Sequence, residues 1–131
     1  MSPVYLLDSD IIIDALNGRR GRPLALQRLV GTGSVLACCA VNVAEIYAGM
    51  RPHEETRTRA FLDSLLCYPI TKEVAQEAGL LRRTWAQQGT TLGLTDTMIA
   101  AVALLNGLPL ITGNAKHYPM PELRLQTLAA E

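Results

Sequence analysis

The sequence predicts an α/β sandwich, with helices packed around a mainly parallel β-sheet. Two observations carry this. Short apolar runs of strand length alternate along the chain with longer stretches whose apolar residues recur at helical spacing. The breaks between them hold glycine, proline, asparagine or aspartate, and such strand–helix alternation is what parallel sheets with helical crossovers require.

Taken in order, Pro3 to Leu7 is an apolar run that reads as a buried strand, stopped by Asp8-Ser9-Asp10. Ile11 to Leu16 follows as a helix with Ser9 or Asp10 as its cap, since a short oxygen-bearing side chain satisfies the free N–H groups of a first turn. Asn17 to Pro23 is a polar, flexible connection, and Leu24, Leu26, Leu29 and Val30 mark a second helix closed by Gly31 and Gly33. Ser34 to Cys39 is the second strand. The next helix begins at Asn42, carries Val43, Ile46 and Tyr47, and ends near Gly49. His53 to Leu66 reads as a longer amphipathic helix with Phe61, Leu62 and Leu65 inward. Tyr68-Pro69-Ile70 is a short strand whose proline points to a sheet edge. Lys72 to Gln88 is helical by the spacing of Val74, Ala78, Leu81 and Trp85. Thr95 to Asn106 is a helix apolar on nearly every side, hence buried, and Gly107 ends it. Leu108 to Thr112 and Leu123 to Leu125 supply the last strands. No repeat or linker divides residues 1–131, which read as one domain long enough to bury a core.

Composition narrows the class. The chain is 49% hydrophobic and 18% charged, which excludes a disordered protein. Lys+Arg and Asp+Glu both number 12, so any nucleic acid must be drawn by local charge and by metal, not by the field of the whole protein. The longest apolar stretch, Met98 to Leu105, falls far short of the about 20 residues of a membrane span. No charged segment precedes an apolar run at the N-terminus, so no secretion signal is expected. Cys38, Cys39 and Cys67 lack metal-like spacing and are read as small buried residues in a reducing compartment, the cytoplasm. Cys38 and Cys39, adjacent in a strand, must point to opposite faces.

The chemistry lies in a few oxygen-bearing residues. Asp8 follows the first strand, Glu45 lies in the first turn of the helix after the second, Asp96 starts the buried helix, and Asn114 follows the strand ending at Thr112. Strand C-termini and the helix N-termini after them share one edge of a parallel sheet, where ligands collect. Each residue has a plainer role open to it: Asp8 and Asn114 as turn residues, Asp10 and Glu45 as caps, Asp96 as a favourable charge at a helix start. Their common edge favours a joint site. Converging carboxylates repel unless a cation intervenes, and oxygen ligands without His or Cys favour Mg²⁺ or Mn²⁺ over zinc. His53 and His117 do not fit a zinc pair; His117, on the loop of Asn114, is a candidate substrate contact.

Four blocks now resemble a known family. Leu6-Leu7-Asp8-Ser9-Asp10, Val43 to Gly49, Asp96 to Ala101, and Leu110-Ile111-Thr112-Gly113-Asn114 are similar, in order, to the motifs of PIN-domain proteins, above all the VapC-type toxins of toxin–antitoxin pairs. The likeness runs from about Val4 to Tyr118. It implies a PIN-like three-layer α/β/α sandwich and Mg²⁺- or Mn²⁺-dependent hydrolysis of RNA. By the same resemblance Asp8 and Asp96 are the chief metal ligands. Glu45 is a third acid that binds metal or positions water, Asn114 belongs to the catalytic set, and Ser9 and Thr112 steady the carboxylates by hydrogen bonds. A homodimer and a cognate antitoxin covering the acidic groove are implied as partners. Two positions depart from the family pattern. Asn114 stands where many relatives carry Asp, which bears on a second metal ion. Asp10 stands where Asn is usual, and is read as a helix cap in preference to an added charge in the site.

For substrate contact, Arg19, Arg20 and Arg22 beside Gly18 and Gly21 form the best basic cluster for phosphates. Phe61 and Trp85 sit at core-like positions, leaving no evident aromatic platform for bases. Three other readings compete. An aspartyl phosphatase also places D-x-D after a strand, but it needs a lysine and a later acidic pair. A receiver-like signalling module needs an Asp closing the third strand, and Pro69-Ile70-Thr71-Lys72 supplies none. The third keeps the PIN fold but drops catalysis, leaving an RNA- or partner-binding module; the joint presence of Asp8, Glu45 and Asp96 weighs against it.

Overall fold

Among residues 2–128, which the computed structural model describes, five strands form one sheet whose neighbours all run parallel. They are β1 (Val4–Leu7), β2 (Val35–Cys39), β3 (Leu66–Tyr68), β4 (Leu110–Ile111) and β5 (Leu125–Gln126), in the order β3-β2-β1-β4-β5 across the sheet. Between them run α1 (Ser9–Leu16), α2 (Arg22–Gly31), α3 (Ala40–Gly49), α4 (Glu55–Asp63), α5 (Lys72–Gln87) and α6 (Leu94–Asn106). Strand order reverses at β1: the chain builds outward to β3, then returns to β4 on the other side. The C-terminal ends of β1 and β4 therefore flank the crevice where parallel sheets bind ligands.

Two apolar layers hold the sheet, and the period of two along each strand assigns residues to them. Leu6 pairs in register with Ala37 and Leu110, and all three face a layer built on Ile99 and Val102 of α6 and Ala78 of α5. Leu7 pairs with Ile111, and both face the opposite layer with Ile11 and Ile12 of α1, Leu26 of α2 and Leu62 of α4. Each large side chain so buried contributes about 1.5–3 kcal/mol. The expected burial of α6 holds: Ile99 to Ala103 are almost wholly inaccessible, and Gly107, at φ 64°, closes the helix in the left-handed conformation. Cys39 faces the α6 layer and Cys38 the α1 layer, as adjacent strand residues must. Cys67 departs from expectation: it is exposed, because β3 is the edge strand.

Several boundaries move, each for a local reason. The cap of α1 is Asp8, whose Oδ1 accepts the Ser9 N–H at 2.9 Å; the helix starts at Ser9, so neither Ser9 nor Asp10 is the cap. Helix α3 starts at Ala40, two residues before Asn42, which puts Glu45 in its second turn. The helix expected from His53 to Leu66 is a short 3₁₀ turn, Pro52–Glu54, running into α4, and Ser64 ends α4 early enough for Leu66 to enter β3. That strand pairs Leu66 to Tyr68 with Ala37 to Cys39, so Pro69 lies just past the sheet and Ile70 outside it. Among the described residues no helix is long and apolar enough to cross a membrane.

Candidate active site

The site starts with the cap of α1. Asp8 is buried, with Oδ1 on the Ser9 N–H and Oδ2 accepting the Thr112 hydroxyl at 2.7 Å. Thr112 Oγ1 in turn accepts the Asn114 N–H at 2.9 Å. A strand end, a helix start and the loop after β4 thus fix one carboxylate across the crevice.

Asp10 does not cap α1. It reaches across the crevice, where Oδ2 accepts the Gly113 N–H at 2.9 Å and Asn114 Nδ2 at 3.3 Å. A Cβ on Gly113 would stand 2.6 Å from that oxygen, closer than real contacts allow, so this approach needs glycine. Asp10 Oδ1 is buried without a hydrogen-bond partner among the described residues. Burial, and then the charge of Asp8, push the Asp10 carboxyl above its usual range.

Asp96, in the first turn of α6, is pushed upward by the same two causes in the same order. The Tyr118 hydroxyl donates to its Oδ1 at 3.4 Å and also lies within reach of Asp8. Tyr118 is buried, and burial followed by the Asp8 and Asp96 charges holds its hydroxyl far above the usual phenol range, so it stays a proton donor. His117 Nδ1 stands 3.7 Å from Asp96 Oδ2, an ion pair only when the imidazole is protonated.

Glu45 joins from α3. Its Oε1 accepts the Ser9 hydroxyl at 2.7 Å, and Ser9 Oγ accepts Asn42 Nδ2 at 2.9 Å. Asn42 is wholly buried and also takes the Cys39 N–H at 2.8 Å. The structure therefore gathers Asp8, Asp10, Asp96, Thr112 and Asn114 at one edge, with Glu45 tied to it through Ser9.

The arginines divide. Arg22 is buried, its Nη1 on the Leu128 carbonyl at 2.8 Å and its Nε 3.6 Å from Asp14 Oδ2, so it is an internal structural cation and not a surface contact. Arg20 pairs with Asp14 Oδ1 at 2.9 Å yet remains exposed, as does Arg19. Asp10, Asp14, Arg20, Arg22 and Asn114 line a cavity of about 370 Å³ beside the acids. Phe61 and Trp85 are partly buried against the two layers, as expected.

Sequence reasoning missed Asn42, Tyr118 and Asp14. Asn42 was legible only as a helix start, because its partner Ser9 is 33 residues away. Tyr118 belongs to no periodic pattern, and nothing in the sequence around Asp14 marks Arg20 and Arg22 as its partners.

The donor set fits a hard divalent ion. It is all oxygen, it contains an orphaned buried carboxylate oxygen on Asp10, and Asp8 raises both acids facing it. Among the described residues no three Asp, Glu, His or Cys side chains close into a ready-made metal cage. Magnesium needs none: one or two carboxylates suffice when water and phosphate oxygens complete its shell.

The chain is similar to known proteins along nearly its whole length. The PIN domain family profile matches residues 5–123. Ribonuclease VapC10 of Mycobacterium tuberculosis is 36% identical over 121 residues, covering 91% of this chain and 89% of that protein. Ribonuclease VapC19 of the same organism is 29% identical over 120 residues, covering 91% and 96%. Among solved structures, a toxin–antitoxin complex from Klebsiella pneumoniae aligns with a TM-score of 0.75 at 30% identity, over 91% of this chain and 94% of that one. VapBC2 from Rickettsia felis, bound to a promoter DNA fragment, aligns with a TM-score of 0.83 at 24% identity over 95% and 98%, a likeness of fold. With its acids gathered at the C-terminal edge of a five-stranded parallel sheet and the family profile spanning residues 5–123, the chain belongs to the PIN-domain family.

Proposed function

We propose that the chain is an endoribonuclease dependent on Mg²⁺ or Mn²⁺, and the toxin of a toxin–antitoxin pair. The observation that carries this reading is the gathering of Asp8, Asp10 and Asp96 at one crevice, where burial and then the charge of Asp8 push both other carboxyls upward and Asp10 keeps a buried oxygen without a partner. Acids whose pKa values are raised by burial and by a neighbouring like charge cluster at functional sites. Ribonuclease relatives at up to 36% identity, covering nine-tenths of the chain, support RNA as the substrate.

In this reading Asp8 and Asp96 hold the ion. Bound there, it supplies polarisation of the phosphodiester and neutralises charge that develops during displacement. The protein's own part is orientation. Thr112 and the Ser9 N–H fix the Asp8 carboxylate, and Tyr118 does the same for Asp96. Glu45, exposed and tethered by Ser9, is placed to take a proton from the attacking water. Asn114 completes the set through its amide, beside Asp10. Arg20, which lines the cavity beside Asp10 and Asn114, and its exposed neighbour Arg19 are the residues that would meet backbone phosphates, and His117, beside Asp96, is a further RNA contact in this reading. The toxin–antitoxin complexes among the structural neighbours support a cognate antitoxin; in this reading it covers the acidic groove. Homodimerisation and action in the cytoplasm belong to the same reading.

The test is incubation of the purified chain with tRNA, rRNA and mRNA, with and without Mg²⁺. Internal cleavage that requires the metal is expected. Binding without cleavage would point instead to a non-catalytic PIN-fold module.

A further inference from the structure

Asn42 has only one possible orientation. Its Oδ1 side accepts the Cys39 N–H at 2.8 Å, and a backbone N–H can only donate, so that side of the amide is oxygen. The NH₂ side then faces Ser9 Oγ at 2.9 Å and donates to it. A hydroxyl has a single proton. With Asn42 donating into Ser9 Oγ, that proton goes to Glu45 Oε1, 2.7 Å away. The chain of donors runs one way, from the Cys39 backbone through Asn42 and Ser9 to Glu45.

We propose that Asn42 is a positioning residue for Glu45, fixing the direction of the Ser9 hydroxyl and thereby holding the Glu45 carboxylate at the acidic edge. This rests on the reading of Glu45 as part of a ribonuclease site. Capping α3 occupies Oδ1 alone, and a glutamate at this position of a capping box would serve the helix as well. The donor half of the amide has no duty to the helix; its partner is Ser9. Glu45 is exposed and its side chain is long, so without a directed donor it would sample several rotamers. Asn42, inaccessible to solvent and held at both ends, supplies the rigidity that Glu45 lacks.

The test is a cycle of Asn42→Ala, Ser9→Ala and the double variant, read as kcat and KM on a cleaved RNA, with Glu45→Gln alongside. Asn42→Ala is expected to lower kcat about 10–100-fold at unchanged KM, the usual scale for a residue that orients a reacting group. In the Ser9→Ala background it should cost nothing further in kcat. Equal fold-losses with and without Ser9 would reduce Asn42 to a helix cap and overturn the proposal. A second measurement leaves Asn42 in place, in case its loss unfolds the chain: the side-chain amide resonances of ¹⁵N-labelled protein. Ser9→Ala should move the Asn42 Nδ2 protons strongly and Glu45→Gln should move them less, with the α3 backbone unchanged. Resonances indifferent to both substitutions would overturn the proposal. Full cleavage by Glu45→Gln would sink the role of Glu45 itself, whereas an inactive Glu45→Gln with independent Asn42 and Ser9 losses would sink only the inference about Asn42.

Discussion

Two aspartates one turn apart on α1 are treated in opposite ways. Asp14 is buried and neutralised, with Arg20 at 2.9 Å and the buried Arg22 at 3.6 Å. Asp10 takes N–H groups from the loop after β4 and from the backbone of Ile11, keeps an orphaned oxygen, and is pushed upward by burial and by Asp8; of the influences on it, the charge of Arg22 ranks last. Asp14 is part of how α1 and α2 pack. Asp10 belongs with Asp8 and Asp96 to a charge the fold leaves unbalanced. A neutralised carboxylate stabilises its surroundings, whereas an unbalanced one costs stability and marks where a cation or a substrate is met.

The largest expected effect tests the unbalanced side. Asp8→Asn and Asp96→Asn should each lower metal-dependent RNA cleavage by more than about 100-fold, the scale of losing a charge aimed at a reacting centre. Circular dichroism should show both variants folded. Wild-type rates in metal-controlled buffer would remove these residues from the site.

Asp14→Asn should do the reverse. It leaves Arg22 short of its counter-charge inside the protein, and chemical denaturation should report a loss of about 1–3 kcal/mol with cleavage largely kept. A variant of unchanged stability and lost activity would move Asp14 to the functional side.

Asn114→Asp sharpens the comparison by adding one more uncompensated charge at the crevice. Where Asn114 now donates to Asp10, a carboxylate would repel it. Calorimetric titration with Mn²⁺ should show one well-bound ion in the unmodified protein and affinity about tenfold higher in the variant, as expected for a full charge nearby. Two tight sites before the change, or no gain after it, would assign the missing ligand to Asp10.

The smallest effect is on metal-free stability. Asp10 and Asp96 have folded-state pKa values raised above their unfolded values. The stability they contribute is therefore fully present below the unfolded value, about 3.9, and is lost as pH rises through the folded value. Asp96→Asn should raise Tm in metal-free buffer at pH 7, and this gain should vanish near pH 3. A gain independent of pH would mean that it does not come from charge.

Much of this was legible in the residues. The alternation of strands and helices, the apolar α6 and the two-faced Cys38–Cys39 pair follow from periodicity, because a period of two or of 3.6 is imposed by the backbone itself. The shared edge of Asp8, Glu45, Asp96 and Asn114 followed as well, since topology places strand ends together whatever the side chains do. Helix boundaries were less legible. Asp8, Ser9 and Asp10 are all competent caps, and only the position of β4 decides which is free to act as one.

The sequence by itself determined the fold class, the edge on which the acids lie and the oxygen-only character of their donors. Tertiary structure decided the partners: that Arg22 is internal and tied to Asp14, that Asp10 spans to Gly113 instead of capping α1, that Tyr118 lies between Asp8 and Asp96, and that Asn42 reaches Glu45 through Ser9. The reason is range. Periodicity and capping act over a few neighbouring residues, whereas the Asp8–Thr112 bond joins residues 104 apart and the Asn42–Ser9 bond residues 33 apart. Which carboxylate is neutralised and which is left exposed to its neighbours' repulsion depends on those distant groups, and they meet only when the sheet closes around β1.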